Sequence, residues 1–179
     1  CYIWNPSYVK ELMADLIKIL PGVDFWAGGP EVSYDAEKFL TENSEFKGVM
    51  VGEGEETFKE LAGYSVEKNP QNLKDMTGIC YRDGDQIIHN GWRQIMDLSS
   101  IPFIYKDLSE FKNRIIYYES SRGCPFSCSY CLSSIDKRVR FRSLPLVKKE
   151  LAFFLEQKVP QVKFVDRTFN VNHARTKEL

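Results

Sequence analysis

The sequence lacks the features that mark membrane and secreted proteins. Its 179 residues contain no apolar run that approaches the roughly 18 residues of a membrane-spanning helix. The first residues, CYIWNPSYVK, show neither a charged segment followed by an apolar one, as in a secretory signal, nor an initiator Met. We therefore expect a fragment of a longer protein. The five cysteines are an odd number and unevenly placed, which disfavours a disulfide framework and favours a metal site in a reducing cytoplasm.

Apolar residues make up 43% of the chain, which is enough for the cores of one or two domains. The net charge is only −1, but it is unevenly distributed. Residues 1–110 carry 10 Lys or Arg and 19 Asp or Glu, a net −9, whereas residues 111–179 carry 14 and 6, a net +8. This change of sign supports a boundary near residue 110.

The first part of the chain alternates short apolar segments with helical patterns. Residues 1–4, 23–27 and 48–51 read as strands, and the apolar positions between residues 9 and 20 recur at helical spacing. Such alternation predicts parallel strands joined by crossovers. The glycine turns 28–29 and 52–54 follow two of these strands, at the edge where parallel sheets bind ligands. They are either ligand-lining turns or simply tight turns.

The rest of the chain predicts a hairpin, a connector and a second strand-helix-strand unit. Residues 79–82 and 86–90 flank Asp83-Gly84-Asp85, a pattern typical of a β-hairpin. Residues 91–113 read as a connector. A strand at 114–119, a helix after Ser143 and a strand at 162–166 then enclose a long loop.

That loop, RGCPFSCSYCLSS, contains Cys124, Cys128 and Cys131 in the spacing C-x3-C-x2-C. Thiolates bind zinc or iron–sulfur clusters, but structural zinc and ferredoxin-type clusters both take four ligands. The spacing fits a four-iron cluster with one iron left open to a ligand. A zinc-stapled module and an electron-transfer iron–sulfur protein stay open as alternatives. A fourth ligand would have to come from one of the distant residues Cys1, Cys80, His89 and His173. For Cys1 and Cys80, small buried residues are the better interpretation.

The stretch from Cys124 to Cys131 resembles the motif of radical S-adenosylmethionine (SAM) enzymes, with Tyr130 as the aromatic residue before the third cysteine. The resemblance implies that the three cysteines hold a [4Fe-4S] cluster whose open iron binds SAM. Reductive cleavage of SAM would then give a 5′-deoxyadenosyl radical that abstracts hydrogen from an unidentified substrate. It also implies a reducing electron donor such as a flavodoxin or ferredoxin, and a SAM contact at Tyr130.

The segments VDFWAGGPEVS, GVMVGEGEETF and DLSSIPFIY, followed by the cysteine loop, resemble the radical SAM subgroup with an N-terminal cobalamin-binding domain. This implies cobalamin near Gly28, Gly29, Gly52, Glu53 and Gly54, and methyl transfer where cobalamin binds. The Asp-x-His-x-x-Gly motif, whose His can ligate cobalt, is absent.

The fold expected from this resemblance is α/β. An incomplete Rossmann-like parallel sheet of the cobalamin-binding type occupies residues 1–65, and a β-hairpin and connector occupy residues 66–113. The start of a radical SAM partial β/α barrel occupies residues 114–179. Because this barrel is incomplete, we expect the chain by itself to be inactive.

Two further groups of residues have open interpretations. Asp166, Arg167 and Asn170 lie at the end of the predicted strand 162–166, where they either contact SAM or substrate or make structural bonds. The basic run of Lys137, Arg138, Arg140 and Arg142 is a solvated face or a patch that steers an acidic electron donor. Few aromatic residues interleave it, which makes RNA, and with it a tRNA-modifying enzyme, the less favoured alternative.

Overall fold

The structure is a computed structural model that describes residues 1–2, 4–67, 72–134 and 137–179, with only the backbone described at residues 67, 110 and 134. The chain divides into two compact units, Cys1–Ile95 and Met96–Leu179. The three domains predicted from the sequence, with boundaries after residues 65 and 113, stay a prediction. In the described part of the chain, no helix is both long enough and apolar enough to cross a bilayer.

The first unit contains a four-stranded sheet in the order β1-β2-β3-β4. Its strands are β1 (Trp26–Gly28), β2 (Gly48–Met50), β3 (Ile79–Asp83) and β4 (Gln86–His89). Its helices are α1 (Pro6–Ile19), α2 (Pro30–Ser33), α3 (Ala36–Glu42) and α4 (Glu55–Glu67). Strands β1 and β2 are parallel, whereas β3 is antiparallel to both β2 and β4. The predicted hairpin is therefore present, and it extends the sheet that the two parallel strands begin.

Two hydrophobic cores lie on the two faces of this sheet, because successive residues of a strand point to opposite sides. Val49 and Cys80 belong to a core that also contains Met13 of α1 and Leu40 of α3. The neighbouring strand residues Ile79 and Tyr81 belong to a second core, with Leu61 of α4. Helices thus cover both faces, and the predicted α/β class with parallel strands is confirmed.

One predicted strand of this unit is wrong. Cys1, Tyr2 and Trp4 do not lie in a strand, and Ile3 is outside the described residues. The backbone of Cys1 instead lies beside Gly29, and its amino group donates a hydrogen bond to the carbonyl oxygen of Gly28.

The second unit pairs β5 (Ile116–Tyr118) in parallel with β8 (Val162–Phe164), and α5 (Leu144–Glu156) lies between them in sequence. A separate antiparallel pair joins β6 (Ser121–Arg122) to β7 (Arg140–Phe141), and α6 (His173–Glu178) follows β8. The core is rich in aromatic residues and includes Tyr118 and Phe154. Within the described residues β5 and β8 form a two-stranded sheet, so no closed barrel is present.

Candidate metal centre

The three cysteines of the candidate centre lie on a loop whose two ends are paired. Strands β6 and β7 place Ser121 opposite Phe141 and Arg122 opposite Arg140. Beyond this pair, Gly123 has a φ of +97°, and a Cβ atom there would overlap the carbonyl oxygen of Arg138. We call residues 120–123 together with residues 138–142 the neck. The neck makes the loop leave and rejoin the fold at neighbouring points.

All three loop cysteines are free thiols, and Cys128 is exposed whereas Cys124 and Cys131 are partly buried. The backbone N–H of Cys131 donates to the carbonyl oxygen of Cys128 at 3.1 Å, so this part of the motif is one tight turn. Among the described residues, no three Cys, His, Asp or Glu side chains form a group that could hold a metal ion. The three thiol groups therefore do not converge on a common metal position in this structure. Because thiolates repel one another until a cation joins them, we expect gathering and metal binding to be coupled.

The chemistry of this donor set nevertheless fits an iron–sulfur cluster, since three soft thiol ligands lie on one accessible loop. The loop also presents apolar side chains to solvent. Tyr130 is 91% exposed and Phe126 is 59% exposed. Packing within the chain therefore does not explain these two rings.

The other two cysteines lie in the first unit. Cys80 in β3 has no exposed surface, and this burial, with a smaller contribution from the charge of Glu37, raises the pKa of its thiol to about 11. Cys80 therefore stays protonated at neutral pH and belongs to the sheet core, as the sequence predicted. Cys1 is partly buried and packs against the same core.

Asp166, predicted to contact SAM or to make a structural bond, lies two residues past the end of β8. Its Oδ1 accepts the backbone N–H of Ser120 at 2.8 Å, and its Oδ2 accepts the hydroxyls of Ser120 at 2.6 Å and Ser121 at 2.8 Å. The two serines are 2% exposed. The carboxylate thus bonds to the neck in this structure, whereas Asn170 and Arg167 are exposed. Contacts of Asp166, Asn170 and Tyr130 with SAM stay predictions.

The basic run does not form one solvated face. Arg142 is buried, and its guanidinium bonds the carboxylate of Glu150 on α5, with Nη2 2.6 Å from Oε1. It also donates to the carbonyl oxygens of Leu98 and Ile101. The phenol of Tyr118 donates a hydrogen bond to the same Glu150 carboxylate. Burial, and to a smaller extent this hydrogen bond, raises the pKa of the Tyr118 phenol. Only the first residues of the run, Lys137 and Arg138, are exposed.

In the first unit, the chain itself fills the space beside three of the predicted cobalamin-lining glycines. Gly29 has a φ of +104°, and a Cβ there would meet the backbone of Cys1. Beside Gly52, with a φ of +82°, the ring of Trp92 would lie 3.2 Å from such an atom, and Met50 would lie 3.2 Å from one at Gly28. Only Gly54, of these four, has open space around it. The tight-turn interpretation explains Gly29 and Gly52, whereas Gly28 ends strand β1, and lining of cobalamin by the five residues stays a prediction.

Sequence reasoning missed the role of Ser33. Ser33 is 3% exposed at the end of α2, and its hydroxyl donates to the carbonyl oxygen of Gly29 at 2.8 Å. The hydroxyl oxygen of Ser33 also accepts a hydrogen bond from the backbone N–H of Gly52 at 3.3 Å. Ser33 therefore joins the two glycine turns. A small polar residue three positions after the Gly28-Gly29-Pro30 turn was the only sequence signal for this role.

No family model matches the chain. Among known proteins, an uncharacterized methyltransferase of Pyrococcus horikoshii is 33% identical over 158 residues, which cover 83% of this chain and 34% of that protein. The cobalamin-dependent radical SAM methyltransferase TokK of Streptomyces tokunonensis is 25% identical over 184 residues, 96% of this chain and 27% of TokK. The chain thus spans about a third or less of the length of these relatives.

Solved structures show the same fold. The cobalamin-dependent SAM radical enzyme OxsB, with aqua-cobalamin and SAM bound, superposes with a TM-score of 0.74 at 20% identity, over 97% of this chain and 26% of OxsB. The radical SAM methyltransferase TsrM of Kitasatospora setae, with cobalamin and a [4Fe-4S] cluster bound, gives a TM-score of 0.68 at 17% identity, over 96% of this chain and 35% of TsrM. These neighbours hold the three cofactors that the sequence predicted. The homologue TokK and the structural neighbours OxsB and TsrM are therefore radical SAM enzymes that depend on or bind cobalamin, methyltransferases among them, which confirms the resemblance predicted from the cysteine motif.

Proposed function

We propose that this chain is the cluster-binding and SAM-binding part of a radical SAM enzyme that acts with cobalamin in methyl transfer to a small-molecule substrate. One observation carries the proposal: three free thiols lie on one accessible loop, and a neck fixes that loop beside the parallel strands β5 and β8. The relatives support the class of enzyme. The substrate and the reaction of the whole protein are part of the proposal.

Each part of the site has a separate task in this proposal. Cys124, Cys128 and Cys131 hold three irons of a [4Fe-4S] cluster. When bound, the cluster supplies the electron for reductive cleavage of SAM to methionine and a 5′-deoxyadenosyl radical. Tyr130, exposed beside Cys131, offers an aromatic face to SAM, and Asn170 offers an amide beyond the carboxyl end of β8.

Cobalamin has weaker support from the residues of this chain. The space beside Gly28, Gly29 and Gly52 is occupied by the chain, and neither histidine lies in the motif that supplies a cobalt ligand. Gly54 and the neighbouring Glu53 are the remaining candidates of the turn. The argument for cobalamin rests mainly on the relatives, so we assign no step of the reaction to these glycines.

The electron donor and the compartment follow from charge and from thiol chemistry. The exposed Lys137 and Arg138 follow the cysteines in sequence, and they would attract an acidic donor such as a flavodoxin or ferredoxin. All five thiols are free, which suits the reducing environment of the cytoplasm.

Electron paramagnetic resonance (EPR) of anaerobically reconstituted, dithionite-reduced protein, with and without SAM, tests the proposal. We expect a reduced four-iron signal that SAM shifts and that disappears in Cys128→Ala. The matched control is Cys1→Ser, which removes a thiol of the first unit and should keep the signal.

Other results would favour the alternative functions. Stoichiometric zinc without iron would favour a zinc-stapled module. A signal that ignores SAM, also in the full-length protein, would favour an electron-transfer protein. Salt-sensitive RNA binding that is lost when Lys137 and Arg138 are neutralised would favour a tRNA-modifying enzyme. Arg142 is unsuitable for that test because it is buried against Glu150.

A further inference from the structure

The segment that follows β8 contacts both strands of the neck. On the β6 side, Asp166 accepts three hydrogen bonds from Ser120 and Ser121. On the β7 side, Nη2 of Arg175 donates to the carbonyl oxygen of Arg142 at 2.7 Å. The guanidinium of Arg175 also lies 5.0 Å from the centre of the Phe141 ring. One short segment after β8, which contains Asp166 and Arg175, therefore bonds to both ends of the cysteine loop.

The Asp166 contact is well placed to fix the neck. The hydrogen-bonded ladder of β5 and β8 continues to the bond from the N–H of Val165 to the carbonyl oxygen of Tyr118 at 2.9 Å. Asp166 follows this bond directly, and Ser120 lies two residues after Tyr118. The carbonyl oxygen of Ser120 in turn accepts the N–H of Arg142 at 2.9 Å. Ser120 thus joins the β8 end to both strands of the neck.

The three hydrogen bonds that Asp166 accepts are strong enough to fix the local conformation of the neck. Hydrogen bonds to an ionised carboxylate are shorter and roughly twice as strong as neutral ones. Both serines are buried, so removal of the carboxylate would leave two hydroxyls and one N–H without this partner. The expected response is a rearrangement of residues 120–123, from which the cysteine loop departs.

We propose that Asp166 is a positioning residue for the cysteine loop. It bonds to Ser120 and Ser121, sets the direction in which the chain enters the motif at Cys124, and does not contact the cluster or SAM. The effect on the cluster rests on the function proposed above, whereas the effect on the neck does not. Ser120 and Ser121 are the groups through which Asp166 acts.

Two measurements on Asp166→Ala test this role, with Glu156→Ala, at an exposed carboxylate of α5, as the matched control. In the chain without cluster, we expect amide hydrogen exchange of residues 121–123 and 139–142 to become about tenfold faster, the factor that 1.4 kcal/mol corresponds to. Exchange in α4 should not change. After reconstitution, we expect iron to be lost to a chelator about fivefold faster or more, the factor that about 1 kcal/mol corresponds to.

A conservative variant distinguishes positioning from general destabilisation. In Asp166→Asn the Oδ1 acceptor for the Ser120 N–H remains, and the amide NH2 can donate to the serine oxygens. Iron retention should therefore recover at least half of what Asp166→Ala loses. If Asp166→Ala does not fold, Ser121→Ala removes one of the three bonds, and about threefold faster exchange at the neck is expected.

Three outcomes would overturn the proposal. The first is unchanged exchange at the neck in Asp166→Ala or Ser121→Ala. The second is iron retention like that of Glu156→Ala. The third is a retained cluster that no longer responds to SAM, because Asp166 would then contact SAM directly. If the unsubstituted chain takes up no iron at all, the proposed function fails, and the exchange measurement alone decides the role of Asp166.

Discussion

The carboxyl ends of the parallel strands differ between the two units. Beyond β1 and β2, the glycine turns are covered by Cys1 and Trp92, and the buried hydroxyl of Ser33 joins them. Beyond β5 and β8, the chain extends into a loop with an exposed thiol at Cys128 and an exposed ring at Tyr130. One edge is filled by the chain itself, and the other is not.

The difference shows which sequence signals point to a ligand. Glycine after a strand permits a close approach, but the approaching group can be the protein itself, as the ring of Trp92 is at Gly52. The three loop thiols include an exposed one at Cys128, which gains little from packing, so the explanation of this cluster has to come from chemistry. The cysteine loop is therefore the stronger of the two candidate sites.

Thiol labelling of the native chain tests whether the cysteine loop is more accessible than the sheet core of the first unit. It is the prediction with the largest expected effect. At pH 8, Cys128 should react with iodoacetamide at least about a hundredfold faster than Cys80, because Cys80 is buried and a thiol of pKa about 11 is a thiolate in only about one molecule in a thousand. Mass spectrometry of the peptides measures both rates in one sample. Comparable rates before any unfolding would mean that the sheet core of the first unit is open.

The second prediction concerns the stability of the fold beneath the exposed loop. Arg142→Met leaves the buried carboxylate of Glu150 without its cation and should lower the free energy of unfolding by about 3–5 kcal/mol in urea titrations. Lys137→Met, at an exposed position in the same basic run, should change it by less than about 0.5 kcal/mol. Equal effects would show that Arg142 is solvated and that the neck is as open as the loop.

The third prediction compares two glycines of the filled edge. Gly29→Ala places a Cβ against the Cys1 backbone at a positive φ, and should lower stability by about 2–4 kcal/mol. Gly54→Ala meets open space at an ordinary φ, and should change stability by less than about 0.5 kcal/mol. Thermal unfolding of both variants measures this. If Gly29→Ala were as stable as Gly54→Ala, the turn would have room for a ligand.

The sequence predicted the elements whose signals are local. The spacing of apolar residues indicated α1, and the Asp83-Gly84-Asp85 turn indicated the hairpin, in which Gly84 has a φ of +59°. The cysteine spacing with Tyr130 indicated the class of enzyme. Each of these signals lies within a few residues, where propensity and turn chemistry determine the structure.

The contacts that the sequence did not predict join residues far apart in the chain. Asp166 and Ser120 are 46 positions apart, and Arg142 bonds to Leu98 at a separation of 44. The basic run could not show that Arg142 is buried, because its partner Glu150 lies on a helix whose orientation depends on tertiary packing. The short pairing of β6 with β7 is likewise too weak in propensity to predict from two residues each.

The close approach of Gly123 to Arg138 has a consequence for protein engineering. Since the chain leaves the β6–β7 pair and returns to it at adjacent points, we expect the cysteine segment to be exchangeable for another loop. A segment of different length or ligand set could be grafted between the same two residues, because lengthening a surface loop costs little entropy once its ends are fixed. The chain therefore offers a scaffold on which metal-binding loops from different proteins can be compared in one structural setting.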